Sequence, residues 1–219
     1  MIITKLERQK RDPHRVNVYL DDEFAFGVHE DVLVKYGLRK GDTLDQATIK
    51  TIQSSEELSH AKEKALKFLS YRLRSEKELR TKLREKEFPP NIIDEVIDHF
   101  RSLGLVDDRK FAQSLVHDLQ LRRPAGKKLI QQKLRLKGIA QPIIQEVIAE
   151  CMSSDDEQEL AVQAAQKLLK RYRSSRKKID PKKQQQRIAQ FLARRGFDWS
   201  TVSPVLHQIF KIKNLKSKI

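Results

Sequence analysis

Cysteine is nearly absent: the 219 residues hold one, Cys151. An intrachain disulfide is therefore excluded, and so is a zinc site built on paired cysteines. Such usage fits a reducing cytosol, and Cys151 reads as a small apolar residue at a helix end. Long apolar runs are missing as well. None approaches the roughly 20 residues of a membrane span, and the opening MIITKLERQKRD lacks the apolar centre of a signal peptide. A cytoplasmic protein with no membrane partner is expected. Glycine and proline number only 7 each, which leaves helix formers in the majority. Aromatics make up 6% of the chain, too few for a base-stacking platform. Three lie among the basic runs, Tyr71, Tyr172 and Phe191, and the two tyrosines are expected to seal helix interfaces.

The motifs of catalysis are missing too. His14, His29, His60, His99, His117 and His207 do not pair at metal-ligand spacing. There is no Walker loop, no GxGxxG and no GxSxG elbow. We therefore expect no catalytic residue, no metal, no cofactor and no enzyme activity. Asp107-Asp108, in a glycine-containing turn, is the one acidic pair that suggests a nuclease metal site. Its position favours a simpler role, capping a helix and complementing the helix dipole.

What is present is positive charge and repetition. Lys and Arg total 45 against 30 Asp and Glu, a net charge of +15 with a pI of about 9.9. An excess of that size implies an anionic partner. Two runs concentrate it: LRRPAGKKLIQQKLRLKG from Leu121 to Gly138 has no acid, and KRYRSSRKKIDPKKQQQR from Lys170 to Arg187 has one. Like charges packed so closely repel each other, and a phosphate backbone relieves that repulsion.

The repetition lies in LRTKLREKEFPPNIIDEVI, IQQKLRLKGIAQPIIQEVI and IAQFLARRGFDWSTVSPVL, which begin at Leu79, Ile130 and Ile188. They match without gaps. Leu79, Ile130 and Ile188 correspond, then Leu83, Leu134 and Leu192, then Phe88, Ile139 and Phe197. Ile93, Ile144 and Val202 follow, then Val96, Val147 and Val205. Apolar residues at helical spacing with a central break predict two short amphipathic helices joined by a tight turn. Glu87 stands where the other copies have Gly138 and Gly196. Either Glu87 adopts a positive φ at some cost or the first turn differs.

Around this skeleton the chain divides into four expected parts. Residues 1–56 form a small β-rich module, with strands HRVNVYL and EFAFGV meeting at Asp21-Asp22. Val16, Val18, Leu20, Phe24, Phe26 and Val28 alternate as its apolar face. Residues 57–106, 107–152 and 153–219 each form a three-helix repeat. Their first helices carry Ala61, Ala65, Phe68, Leu69 and on to Leu73, then Phe111, Ala112, Leu115 and Val116, then Leu160, Ala164, Leu168 and Leu169. Capping boxes are expected at Ser75/Glu78 and Ser154/Glu157. The fold class is mainly α: tandem three-helix repeats in an elongated curved array, with an N-terminal β-hairpin/α module.

The ordered segments ALKFLSYRLRSEKELRTKL, SLGLVDDRKFAQSLV, RRPAGKKLIQQKLRLKGI and IAQFLARRGF resemble the RecX family, regulators of the RecA recombinase. The resemblance covers about residues 60–210, and the β segment resembles an extension of longer members. It implies an array that lodges in the groove of the RecA–DNA filament and inhibits recombination and the coupled ATPase, without catalytic residues. The family's basic motif residues fall on Arg72, Arg74, Arg122, Arg123, Lys127, Lys128 and Lys137. The basic runs and the third skeleton add Lys133, Arg135, Arg171, Arg173, Arg176, Lys177, Lys178, Lys182, Lys183, Arg194 and Arg195 as candidates for partner or nucleic-acid contact. The expected partners are the RecA filament and single- and double-stranded DNA, met by a monomer.

A stand-alone DNA-binding protein is the alternative, since three-helix units also resemble helix-turn-helix modules. The third helices oppose it. NIIDEVIDHF and PIIQEVIAE are acidic on their polar faces, where base readers carry Arg, Lys, Asn or Gln.

Overall fold

The structure, a computed structural model, describes residues 1–10, 12–174 and 180–216. Its residues cluster into two compact units, 1–106 and 107–219.

The first unit opens with a three-stranded antiparallel sheet of β1 (Ile3–Arg8), β2 (Arg15–Leu20) and β3 (Glu23–His29), in that order. Asp21 and Asp22 join β2 to β3 with φ of 48° and 70°, the paired positive values of a hairpin turn that follows strand twist. Alternation buries Val16, Val18, Leu20, Phe26 and Val28. Phe24 departs from it and is 60% exposed. A register shift after Val18 pairs Tyr19 with Phe24, so Phe24 packs edge-on against the Tyr19 ring instead of entering the core. Helix α1 (Glu30–Lys35) starts at the His29 cap and gives way to Gly37 at φ 61°.

Helix α2 (Gln46–Tyr71) then runs 26 residues without a break, through residues 56 and 57. Its first half covers the sheet with Ile49 and Ile52, and its second half packs Ala61, Ala65, Phe68 and Leu69 into the first repeat. The sheet module and the first repeat therefore share a helix rather than a linker. Leu73 lies past the helix end and is exposed, as is Tyr71. The expectation that Tyr71 seals an interface is thus overturned, because it is the last helical residue and its side chain faces solvent. Tyr172, in contrast, packs against the core of the third repeat.

Helices α3 (Glu76–Arg84) and α4 (Pro90–Ser102) complete the first repeat. In the second unit, α5 (Asp108–Arg122), α6 (Lys127–Leu136) and α7 (Gln141–Cys151) form the second repeat, and α8 (Ser154–Arg173), α9 (Pro181–Arg194) and α10 (Trp199–Lys216) the third. The aligned apolar positions are the core of each. Leu79, Ile130 and Ile188 are fully buried, as are Leu83, Leu134 and Leu192, and Val96, Val147 and Val205. Burial of such side chains contributes about 1.5–3 kcal/mol apiece. The chain is thus mainly helical, three three-helix units behind a small sheet.

The turn between the second and third helices repeats as well. Phe88 N–H donates to Leu83 O, Ile139 N–H to Leu134 O, and Phe197 N–H to Leu192 O, at 3.1–3.3 Å. These are the bonds of a helix end closed by a left-handed residue. Glu87 takes φ 64° where Gly138 and Gly196 take 85° and 81°. The first repeat therefore keeps the same turn and tolerates the side chain.

Candidate anion-binding surface of the second unit

The net charge is divided very unequally. Residues 1–106 contain 20 Lys and Arg against 19 Asp and Glu, a net of +1, whereas residues 107–219 contain 25 against 11, a net of +14.

In the first unit several cations are paired with carboxylates. Arg72 grips Glu78 through two hydrogen bonds of 2.8 and 3.1 Å, and Arg74 donates from Nε to Phe68 O while lying over the Phe68 ring. Arg80 and Arg101 share Glu76, and Arg80 also meets Asp94. Burial of the Glu76 carboxyl raises its pKa, but the hydrogen bonds from Arg80 and Arg101 outweigh that and hold it below 4.5. Asp94 and Asp98 of α4 are thus paired with arginines of their own repeat, and Glu146 and Glu150 of α7 are likewise taken up by Arg109.

Lys127 and Lys128 are held at the junction between the second and third repeats. Helix α6 begins at Gly126, which has no side chain to cap it, so its first amides need other acceptors. The third repeat supplies them. Gly126 N–H donates to Arg195 O at 2.8 Å, Lys127 N–H to Glu157 Oε1 at 2.9 Å, and Lys128 N–H to Gly196 O at 3.2 Å. The backbones approach so closely that a Cβ on Gly126 would lie 2.3 Å from Gly196 O, and one on Gly196 would lie 2.3 Å from Leu129 N. Lys127 Nζ adds a 3.5 Å pair with Glu157, and Lys128 a 2.6 Å pair with Asp198. The hydrogen bond from Lys128 holds the Asp198 carboxyl below its ordinary range. Glu157 is buried, so the expected Ser154/Glu157 box is displaced by one residue. Ser153 and Asp156 exchange the capping bonds, which leaves Glu157 facing α6.

Beside this junction lies a cleft of about 480 Å³ lined by the end of α5, one face of α8 and part of α9. Arg122, Arg123, Lys167, Arg171 and Arg195 meet there. Among the described residues, no Asp or Glu lines the cleft and none of the five forms an ion pair. Arg195 lies over the Phe191 ring at 5.7 Å, with its Nε enclosed and lacking a hydrogen-bond partner. Four of the five were legible as basic-run or motif residues. Lys167 was missed, although it sits four residues before Arg171 and so on the same helix face.

The remaining candidates are dispersed. Lys133 and Lys137 are half-buried on α6 and its cap, and Arg135 donates from Nε to Gln141. Lys182 and Lys183 are exposed in the first turn of α9 and Arg194 in its last. Arg173 ends α8, and Arg176, Lys177 and Lys178 fall outside the described residues. Asp107 caps α5 by accepting from Arg109 N–H and Lys110 N–H, and the described residues contain no metal-binding cluster of His, Cys, Asp and Glu. Burial pushes the half-buried Cys151 thiol up, away from reactive thiolate character. No helix among the described residues is long and apolar enough to cross a membrane.

Comparison with known proteins explains the recurring units. The family model for the regulatory protein RecX N-terminal domain matches residues 1–45, and those for the first, second and third RecX three-helix domains match residues 61–100, 107–148 and 155–206. The chain belongs to the RecX family. It is 39% identical over 208 residues to regulatory protein RecX of Clostridioides difficile, covering 95% of each chain. It is 38% identical over 207 residues to that of Bacillus subtilis, covering 94% of this chain and 76% of the relative. A crystal structure of regulatory protein RecX superimposes with a TM-score of 0.75 at 32% identity, covering 93% of this chain and 98% of the other. RecX from Lactobacillus salivarius gives 0.62 at 28%, covering 70% and 97%. The relatives are named as regulatory proteins, and the RecX domains account for the threefold helical skeleton.

Proposed function

We propose that this chain is a non-enzymatic cytoplasmic regulator that binds the RecA–DNA filament and inhibits RecA ATPase, recombination and strand exchange. Membership of the RecX family over nearly the whole chain carries the reading. The net charge of +14 in residues 107–219 supports it, because a surface of that sign suits a polyanionic partner. The DNA component is met as single or double strand through phosphate contacts, by a monomer. The four-part division at residues 56, 106 and 152 belongs to the same proposal, with α2 as the shared piece of the first two parts.

The test is RecA's single-strand-dependent ATP hydrolysis, titrated with this protein at fixed salt. The expected result is strong inhibition well below one molecule per RecA protomer. Unchanged hydrolysis at an equimolar ratio would overturn the reading. Inhibition only at high ratio, relieved by added DNA, would instead make the chain a stand-alone DNA binder that competes for the strand.

A further inference from the structure

We propose that the cleft between α5, α8 and α9 is the seat for the backbone of a single nucleic-acid strand, with Arg122, Arg123, Lys167, Arg171 and Arg195 as its phosphate ligands. The inference rests on the reading of this chain as a DNA-associating regulator and adds to it a location and a strand form.

The five cations converge without counter-charge. With 25 cations to 11 acids in this unit, a cation without a carboxylate is common there; what sets the cleft apart is that five converge on one concave surface with no acid in its described lining. Lys167 and Arg171 stand four residues apart on α8 and repel each other, which destabilises the helix that carries them. The Arg195 Nε is enclosed without an acceptor, an arrangement that is costly when nothing fills it. An oxyanion in the cleft would relieve the repulsion between Lys167 and Arg171.

Phosphate fits better than carboxylate. Four of the five ligands are arginines, whose planar forks match phosphate oxygens. They come from three different elements, so they surround a tetrahedral group rather than line up along an extended acidic peptide. The strand form follows from curvature. A duplex is read by a convex helix or ribbon that enters its groove. This surface is concave, and at about 480 Å³ it admits a flexible strand. The Phe191 ring is half-buried beneath Arg195, so a base near the cleft would stack on guanidinium faces.

The test uses the full chain without RecA, and fluorescence anisotropy of a labelled oligothymidylate and of a duplex of equal length across a salt series. Lys167→Ala with Arg171→Ala changes two exposed side chains and relieves a repulsion, so folding is retained. This double variant is expected to bind the single strand about tenfold more weakly, with a salt slope shallower by about 1.4, the loss of two contacts. Duplex binding is expected to change less than about threefold. Arg171→Lys, which keeps the charge and loses the fork, is expected to fall between wild type and the double variant. Lys182→Ala with Lys183→Ala removes equal charge from the start of α9 and serves as the control. Equal loss in both double variants would overturn the proposal, since bulk charge alone would then explain binding. Equal loss on single strand and duplex would overturn the strand form. Oligoglutamate binding abolished by Lys167→Ala with Arg171→Ala, while strand binding holds, would reassign the cleft to an acidic protein segment. RecA takes no part in these measurements, so failure here leaves the inhibition reading standing, and failure of inhibition leaves the cleft standing.

Discussion

Arg80 and Arg101 in the first repeat share Glu76, whereas Arg122, Arg123, Lys167, Arg171 and Arg195 border one cleft with no carboxylate among its described lining residues. Both sets sit on the same helical skeleton, with the same buried positions and the same turn. The difference shows that a repeat specifies its interior and leaves its polar face free to diverge. In the first unit that face is spent on internal pairs, each worth little because most are solvent-exposed. In the second unit the cleft cations have no carboxylate partner among the described residues.

The turns offer the largest test of how far the repeats are equivalent. Gly196→Ala places a Cβ against the Leu129 backbone at a φ of 81°. We expect a loss of about 3 kcal/mol, from left-handed strain and overpacking together. Native-state hydrogen exchange should register it in both α6 and α9; protection lost in α9 alone would show that the junction does not bind the two repeats together. Glu157→Ala is next. It removes a buried acceptor from Lys127 N–H, and a loss of about 2 kcal/mol is expected in urea unfolding. Less than about 0.5 kcal/mol would mean that water replaces the carboxylate at the helix start.

Glu87→Gly runs in the opposite direction. Its φ of 64° is one that glycine adopts freely, so a gain of about 1 kcal/mol is expected, confined to the first unit. No gain would mean that the Glu87 side chain offsets its own strain. The smallest effect concerns pH. The Glu76 pKa is lowered in the folded chain, so its contribution is present above its unfolded value and is lost as pH falls through the folded one. Amides of α3 and α4 should therefore lose protection as pH drops below about 4.5, the ordinary value. Glu76→Gln should remove that acid-dependent part at a cost of about 1 kcal/mol or less at neutral pH. Unaltered acid sensitivity in the variant would show that the pairing of Arg80 and Arg101 contributes nothing there.

The repeat skeleton was readable because its signal is periodic burial, and every aligned position from Leu79 to Val205 lies where the spacing put it. Helix starts at Ser75 and Asp107 were readable because each side chain caps its own helix. The turning of Glu157 toward α6 and the convergence of Lys167 on Arg122 and Arg195 escaped because both depend on elements distant in sequence. The register shift that exposes Phe24 lies within one hairpin and escaped because strict alternation takes no account of a bulge. The acid-free run from Leu121 to Gly138 was visible as charge, but the division of its cations was not. Lys127 and Lys128 are consumed at the junction, while Arg122 and Arg123 reach the cleft, and only the packing of α6 on the α9–α10 turn separates the two pairs.

Helix α6 borrows its cap from residues that the ribosome adds much later. Lys128 and its partner Asp198 are 70 positions apart, which at 5–20 residues per second is a delay on the order of 4–14 s. Lys127 N–H gains Glu157 after 30 residues, whereas Gly126 N–H and Lys128 N–H have only water to answer them until Arg195 and Gly196 arrive. The second repeat gains these acceptors only as the third repeat emerges, so the later-translated repeat acts as a folding template for the one before it.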